Sequence, residues 1–289
     1  MRVGINLWVW VSPFDSRRDL ARIRQAKALG AQAVEFALEE DAVVDPKAVR
    51  ALLTELDLDC SVIGLFGPAR NFASLEASVR EAGLEYLRRS IDITAEAGAK
   101  LFSGAVWGVG ETQVLSAAER EERAKFAAES LNQAAEYSAR SGVRFCAEVL
   151  NRYESNFCNT AAESRALIER AGHPNAGLHL DTFHMSMEET SLAEAIRSAG
   201  PKLFHLHSSE SQRGAPGDGM VRWDQVMPAL RGIGYQGSLV LESFHPAGRL
   251  APLARAWRSY AENQDELAAR GLRFLNRLAA SPSAASALR

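Results

Sequence analysis

The chain has 289 residues, of which 47% are hydrophobic and 24% charged, which is enough to bury a large core without disulfide support. Its formal net charge of −3, with both signs interspersed along the chain, offers no basic stripe for nucleic acid. The apolar opening segment, residues 2–10, is too short to cross a membrane. The three cysteines show no CxxC spacing, so we expect a protein of the reducing cytoplasm with no nucleic-acid or membrane partner.

Eight short runs of apolar, β-branched or aromatic residues recur along the chain, and a segment with helical spacing follows each one. In chain order the runs are RVGINLWVW (2–10), AVEFALE (33–39), DCSVIGLF (59–66), KLFSGAVW (100–107), RFCAEVL (144–150), AGLHLDTF (176–183), LFHLHSSE (203–210) and GSLVLESF (237–244). Intervening segments such as 19–30 and 130–142 are amphipathic and close on a glycine, which is typical of a helix C-terminus.

This alternation predicts an α/β protein whose eight parallel strands close into a (β/α)8 TIM barrel, because nearly continuous apolar strands belong to a sheet covered by helices. Such a barrel takes about 250 residues as one domain. We therefore predict a single catalytic domain over residues 1–278 and a frayed tail over residues 279–289. An open doubly wound sheet is the alternative, and the lack of a GxGxxG motif after the first strand disfavours it.

Four consecutive late strands end in residues that can bind a metal, namely Glu148, Asp181, His207 and Glu242, which lie 33, 26 and 35 positions apart. The carboxyl ends of barrel strands surround one mouth, where active sites lie. A lone carboxylate there is often only the N-cap of the next helix, but three buried together repel one another unless a cation joins them. The pattern predicts one divalent ion, and its oxygen-rich ligands favour Mn²⁺, Mg²⁺ or Co²⁺ over Zn²⁺.

Further polar residues follow the same strand ends. Glu154 lies just beyond the fifth strand, His184 lies three residues after Asp181, and Arg213 lies in the loop after the seventh strand. His205 is two positions before His207 and should share its face of the strand, which makes it a candidate to support the metal site. Loop residues at a barrel mouth can hold a substrate, although many such residues are only solvated or salt-bridged.

These motifs resemble the ketose 3-epimerase family, whose members act on D-tagatose, D-allulose (D-psicose) or L-ribulose. The likeness rests on EVLNRYE (148–154), LDTFHMSMEETS (180–191), the pattern HxHxxExxRGxPGxG (205–219), VLESF (240–244) and the segment 71–89, and it runs from the first strand to about residue 250. Two departures lie in the third motif, where Ser209 and Gln212 stand in place of a common Gly and Asn. They leave the fine position of Arg213 open.

The resemblance implies a homodimer or homotetramer that acts on a small ketose with one divalent ion per subunit, usually Mn²⁺. It implies that the ion is held by Glu148, Asp181, His207 and Glu242, that Glu148 and Glu242 are also catalytic, and that Glu154, His184 and Arg213 bind the O1 to O3 end of the ketose. Three further residues are candidate substrate contacts: Trp107 and Phe66 for the wall near C4 to C6, and Asn6 on the first strand.

These observations together predict epimerisation of a free ketose at C3 through a cis-enediolate, with two glutamates moving the proton on opposite faces. Four alternatives stay open. An aldose–ketose isomerase, a hydroxypyruvate isomerase or an inosose dehydratase could use the same ligands, and a non-catalytic sugar-binding barrel could keep them. A phosphorylated sugar is also conceivable, with Arg249 and the loop 214–219 holding the phosphate.

Overall fold

Eight parallel strands form a closed barrel in the computed structural model, which describes residues 1–281. The strands are β1 (Val3–Asn6), β2 (Ala33–Leu38), β3 (Asp59–Gly64), β4 (Leu101–Gly104), β5 (Arg144–Glu148), β6 (Ala176–Asp181), β7 (Leu203–His207) and β8 (Leu239–Leu241). Each strand pairs with its neighbours in sequence, and β1 pairs with β8. The predicted (β/α)8 barrel is confirmed, with every strand lying inside its predicted run.

Nine α-helices cover the barrel within the described residues 1–281. They are α1 (Ser16–Ala28), α2 (Pro46–Leu56), α3 (Ala77–Glu96), α4 (Ala117–Arg140), α5 (Ala161–Ala171), α6 (Thr182–Glu188), α7 (Leu192–Ala199), α8 (Trp223–Gly232) and α9 (Gln264–Ala280). Helices α4 and α5 begin with complete capping boxes, Ser116 with Glu119 and Thr160 with Glu163, which satisfy backbone N–H groups that the helix leaves free.

Helix α9 continues through Ala280, so the first two residues of the predicted tail 279–289 are helical. Residues 282–289 lie outside the described residues, and their predicted fraying stays a prediction. Within residues 1–281, none of the helices combines the length and apolar composition that crossing a membrane requires.

The register between β6 and β7 sets the geometry of the barrel mouth. Asp181 pairs with His207 and His179 pairs with His205, after an irregularity between Leu178 and His179. Gly177 makes room for this irregularity, because a Cβ there would lie 2.3 Å from the ring of Phe204. The pairing brings the ends of β6 and β7 level, so that their last side chains reach the same depth.

Candidate metal and sugar site

Four metal-binding side chains from consecutive strands meet at the carboxyl end of the barrel. Glu148, Asp181 and His207 end β5, β6 and β7, and Glu242 directly follows β8. None of the four is more than 6% exposed. Glu148, Asp181 and His207 can each offer one ligand atom within 4.8 Å of the others. His207 Nδ1 lies 2.9 Å from Glu242 Oε1 and 3.7 Å from Glu148 Oε1, so the four predicted residues form one cluster.

The chemistry of this cluster fits a divalent cation. His207 Nδ1 is buried and has no hydrogen-bond partner among the described residues. On the other side of the ring, His207 Nε2 lies 2.6 Å from Glu35 Oε1, so a hydrogen on Nε2 leaves a lone pair on Nδ1. A lone pair beside carboxylate oxygens is repulsive unless a proton or a metal ion lies between them. One imidazole nitrogen and three carboxylates suit Mn²⁺, Mg²⁺ or Co²⁺.

The three carboxylates have unlike electrostatic surroundings. Burial raises the pKa of Glu148 well above its ordinary value, and the negative charges of Glu242 and Asp181 raise it further against the opposing charge of His207. Burial also raises the pKa of Asp181 to about 6, against the charge of Arg213. Burial acts on Glu242 as well, but His207 and Arg213 outweigh it and lower the pKa of Glu242 to about 2. Glu148 therefore retains a proton far more readily than Glu242.

Arg213 adds a buried positive charge to the cluster. Its Nη1 donates to Asp181 Oδ2 at 2.8 Å and to Glu242 Oε2, and its guanidinium lies 3.7 Å from the ring centre of Phe183. Asp181 Oδ1 accepts the backbone N–H of Phe183 at 2.8 Å. Asp181 therefore caps α6 with one oxygen and faces the site with the other, so its N-cap role does not exclude a role in metal binding.

His184 presents a neutral donor to the cluster. The backbone N–H of Asn151 donates to His184 Nδ1 at 3.2 Å, which places the ring hydrogen on Nε2, 3.7 Å from Asp181 Oδ2. Burial lowers the pKa of His184 well below its ordinary value, and the charge of Arg213 lowers it further. Asn151 Nδ2 also donates to Glu154 Oε1 at 3.0 Å, and burial raises the pKa of Glu154. Asn151 thus orients two of the three residues predicted to bind the O1 to O3 end of the ketose, His184 and Glu154.

The loop between β7 and α8 holds Arg213 in a left-handed conformation, with φ of 67°. Glu210, at the start of this loop, is fully buried. Its carboxylate accepts four N–H groups at 2.8 to 3.3 Å, from the backbone of Ser211, Gly217 and Val221 and from Trp223 Nε1. Because Arg213 also donates its backbone N–H to Glu210 O at 2.9 Å, Glu210 fixes the loop that presents Arg213.

The two departures from the family motif take defined places in this loop. Ser209 Oγ lies 3.4 Å from Arg213 Nη1 and 3.5 Å from Glu242 Oε2. Gln212 Nε2 donates to Asp218 O at 3.3 Å. With these two residues in place, the Arg213 guanidinium still reaches the carboxylates of Asp181 and Glu242. Ser209 adds a hydroxyl beside that contact.

An apolar cavity opens beside the polar cluster. Its polar residues are Glu148, Glu154, His184, Arg213 and Glu242. Its apolar wall includes Trp8, Ile63, Leu65, Phe66, Phe244, Leu250, Leu253 and Ala254. The cavity is thus lined by both charged and apolar side chains. Phe66 lies in the predicted wall.

Two predicted substrate contacts lie outside the residues that line this cavity. Asn6 is fully buried, donates through Nδ2 to Glu35 Oε1 at 2.8 Å and accepts the Trp8 backbone N–H at 2.9 Å. Trp107 is 1% exposed and packs edge-on against Phe157. Both side chains lie in the protein interior, and a contact of either one with the substrate stays a prediction.

Sequence reasoning missed Glu35 and much of the cavity wall. Glu35 lies within the apolar run of β2. A charged residue inside an apolar strand was the sequence feature that could have identified it as a candidate site residue. Glu35 faces both His205 and His207, which confirms that these histidines share a face of β7. Leu250, Leu253 and Ala254 come from the irregular segment between β8 and α9, where no periodic pattern indicates which side chains turn inward.

Comparison with known proteins agrees with the fold. The family model described as xylose isomerase-like TIM barrel matches residues 23–278, so the chain belongs to that family. A ketose 3-epimerase of Arthrobacter globiformis is 31% identical over 278 residues, which cover 95% of this chain and 96% of the relative. An L-ribulose 3-epimerase of Methylomonas sp. is 30% identical over 279 residues, with coverage of 95% and 96%.

Solved structures of ketose 3-epimerases are also similar to this chain. D-allulose 3-epimerase from Methylomonas sp. in complex with D-allulose aligns with a TM-score of 0.88 and 28% identity over 96% of each chain. Within the xylose isomerase-like family, the chain belongs with the ketose 3-epimerases. It is a carbohydrate epimerase of the isomerase class.

Proposed function

We propose that the protein is a metal-dependent epimerase that inverts C3 of a free ketose of the D-tagatose, D-allulose, D-fructose or L-ribulose type. The observation that carries this proposal is the placement of two buried glutamates, Glu148 on β5 and Glu242 after β8, at 3.7 and 2.9 Å from His207 Nδ1. Strands β5 and β8 approach the mouth from different directions, so these carboxylates can face opposite sides of one bound carbon.

Glu148, Asp181, His207 and Glu242 would hold the ion, with Mn²⁺ favoured and Mg²⁺ or Co²⁺ as alternatives. When bound, a divalent ion would polarise the ketose carbonyl and stabilise the negative charge that develops on O2. Arg213 and the Nε2–H of His184 would donate to the same end of the ketose, because both residues line the cavity.

One glutamate removes the proton from C3 and produces a cis-enediolate. The other glutamate returns a proton to the opposite face of C3. The two carboxylates must hold unlike protonation states for this exchange. Burial raises the pKa of Glu148, while His207 and Arg213 overcome the effect of burial at Glu242 and lower its pKa. Without a bound ion, Glu148 therefore holds a proton more readily than Glu242.

A free sugar suits the cavity better than a phosphorylated sugar. Arg249 bonds to Asp41 and lies 3.6 Å from Glu39, so its charge is neutralised at the surface. In the loop 214–219, the backbone N–H of Gly217 donates to Glu210. The groups that we considered for phosphate therefore already have protein partners.

The proposal includes a homodimer or homotetramer in the cytoplasm. The three cysteines, Cys60, Cys146 and Cys158, are free thiols, which suits a reducing compartment. Size-exclusion chromatography with light scattering would measure the assembly, and a monomeric mass at micromolar protein would contradict that part of the proposal.

Product analysis tests the reaction. The metal-stripped enzyme would be incubated with D-fructose, D-tagatose, D-allulose or L-ribulose and with added Mn²⁺, Mg²⁺ or Co²⁺. The proposal expects the C3 epimer of at least one ketose and no product without metal. Accumulation of an aldose would instead identify an aldose–ketose isomerase, and a dehydrated product would identify a dehydratase.

A further inference from the structure

We infer that Glu35 is a positioning residue that fixes the metal-binding nitrogen of His207. This inference rests on the proposed metal-dependent function. Glu35 lies on β2, on the other side of the barrel interior from the loops that hold the ketose, and it is fully buried. It does not line the cavity among the described residues, so it would act through His207 and not on the substrate.

Both carboxylate oxygens of Glu35 have close polar partners. Oε1 accepts from Asn6 Nδ2 at 2.8 Å and lies 2.6 Å from His207 Nε2. Oε2 accepts from Ser61 Oγ at 2.8 Å and lies 2.7 Å from His205 Nε2, although that approach lacks hydrogen-bond geometry. Residues from β1, β3 and β7 therefore hold one carboxylate in place behind the metal ligand.

This arrangement selects one tautomer of His207. A carboxylate has no hydrogen to give, so the short contact requires the hydrogen on His207 Nε2. In the neutral ring that would bind a metal ion, the opposite nitrogen, Nδ1, then carries no hydrogen, and it points at Glu242 and Glu148. A carboxylate behind a metal-bound histidine also raises the basicity of the ring, and loss of such a partner costs roughly 10- to 100-fold in metal affinity.

A purely structural role for the Glu35 carboxylate is the alternative, and Glu39 offers a matched control. Glu39 follows β2, is 4% exposed, and accepts from Trp8 Nε1 at 3.0 Å and from Ser12 Oγ at 2.9 Å. It is thus another buried, hydrogen-bonded glutamate four positions further along the chain. Its two hydrogen bonds go to residues outside the metal-binding cluster.

The experiment measures Mn²⁺ binding to metal-stripped wild type, Glu35→Gln, Glu35→Asp and Glu39→Gln by titration calorimetry, with the visible spectrum of bound Co²⁺ as a second readout. We expect Glu35→Gln to weaken Mn²⁺ binding roughly 10- to 100-fold and to change the Co²⁺ spectrum. Glu35→Asp should bind more tightly than Glu35→Gln because it keeps the charge. Glu39→Gln should bind Mn²⁺ like wild type and keep its spectrum.

Wild-type affinity and an unchanged Co²⁺ spectrum in Glu35→Gln would overturn the inference and leave the proposed function standing. Failure of the wild type to bind any of these ions would instead reject the proposed function. If Glu35→Gln does not fold, long-range nitrogen NMR of histidine-labelled, Mg²⁺-loaded wild type tests the same point. The inference requires hydrogen on Nε2 of His207, and hydrogen on Nδ1 would contradict it.

Discussion

Glu148 and Glu242 are chemically identical side chains in unlike surroundings. Burial dominates at Glu148 and raises its pKa, whereas Arg213 and His207 overcome burial at Glu242 and lower its pKa to about 2. The difference arises because His207 Nδ1 lies 2.9 Å from Glu242 but 3.7 Å from Glu148, and because Arg213 Nη1 contacts Glu242 Oε2 directly. The same side chain therefore has a different proton affinity at the two positions, and the proposed proton transfer across two faces requires unlike protonation states.

Replacing Glu148 or Glu242 tests whether each of them acts as an acid–base group. Glu148→Gln and Glu242→Gln should each lower kcat by about 10²- to 10⁴-fold at saturating Mn²⁺, because each removes one acid–base group. Initial rates of C3 epimer formation measure the effect. Glu189→Gln is the control, since Glu189 accepts the backbone N–H of Ala161 at 2.7 Å outside the cavity lining. Either site variant with a kcat near that of Glu189→Gln would refute a catalytic role for its glutamate.

The carboxylates also predict how metal binding depends on pH. The pKa of Asp181 is raised to about 6 and that of Glu148 is raised well above its ordinary value, mainly by burial. Raised carboxyl pKa values mean that protons compete with the ion, because a metal binds the ionised form. Apparent Mn²⁺ affinity should therefore fall as the pH drops through about 6. Calorimetry between pH 5 and 8 measures this, and an affinity independent of pH would contradict it.

Individual residues differed in how far the sequence could predict them. Glu148, Asp181, His207 and Glu242 were predictable because each directly ends an apolar run and barrel topology brings strand ends together. Glu35 was not predicted, because its partner His207 lies 172 positions away and only the register of the closed barrel makes them neighbours. The substrate contact of Trp107 stays a prediction, because an aromatic residue after a strand can turn outward or inward with no change in pattern.

At the scale of elements, the loop from β7 to α8 is held mainly by one buried side chain. Glu210 accepts four N–H groups, and this loop carries Arg213 in its left-handed conformation. The motif HxHxxExxRGxPGxG indicated a substrate loop, and the structure gives its glutamate a positioning role and its arginine a place in the site.

Glu210→Gln should loosen this loop, because an amide cannot accept at both ends of the side chain. We expect KM to rise about tenfold or more, since misplacing a substrate-binding group by about 1 Å can cost 10²-fold in rate. Asp218→Asn is the control in the same loop, where Asp218 pairs with Arg270 at 2.8 Å on the surface. Steady-state kinetics of both variants measure the effect, and equal KM values would show that Glu210 does not position Arg213.

The strands and most helices followed from apolar periodicity and capping signals such as Ser116 with Glu119. The segment between β8 and α9 did not, because residues 245–263 contain no regular pattern. That segment nevertheless supplies Leu250, Leu253 and Ala254 to the cavity wall. We therefore expect substrate preference to depend on the part of the barrel mouth that local sequence rules describe least.

At the scale of the whole molecule, the barrel brings three carboxylates into a buried cluster whose mutual repulsion opposes folding. A bound divalent ion would relieve this repulsion and should stabilise the folded state. At a free ion concentration 100 times the dissociation constant, the gain is about 2.7 kcal/mol, which corresponds to a rise in Tm of roughly 5 °C. Calorimetric scans with EDTA or Mn²⁺ measure this, and identical Tm values would argue against a metal in the cluster.

The fold was predictable at this scale because eight similar strand–helix units allow few topologies. The chemistry was predictable only in class, since ligand identity follows from strand ends while the preferred ketose depends on the shape of the cavity. The apolar side chains that line this cavity, Trp8, Phe66 and Phe244 among others, offer a sugar no charged partner. Tolerance of several ketoses is the expected consequence.

Solvent deuterium exchange tests the central claim most directly. The Mn²⁺-loaded enzyme would act on a ketose in D₂O, and NMR would locate the deuterium in substrate and product. The account predicts deuterium at C3 of the epimerised product, with loss of incorporation in Glu148→Gln and Glu242→Gln variants that still bind metal. Epimer formed without deuterium at C3, or deuterium placed only at C1 or C2, would contradict proton transfer at C3 by these two glutamates.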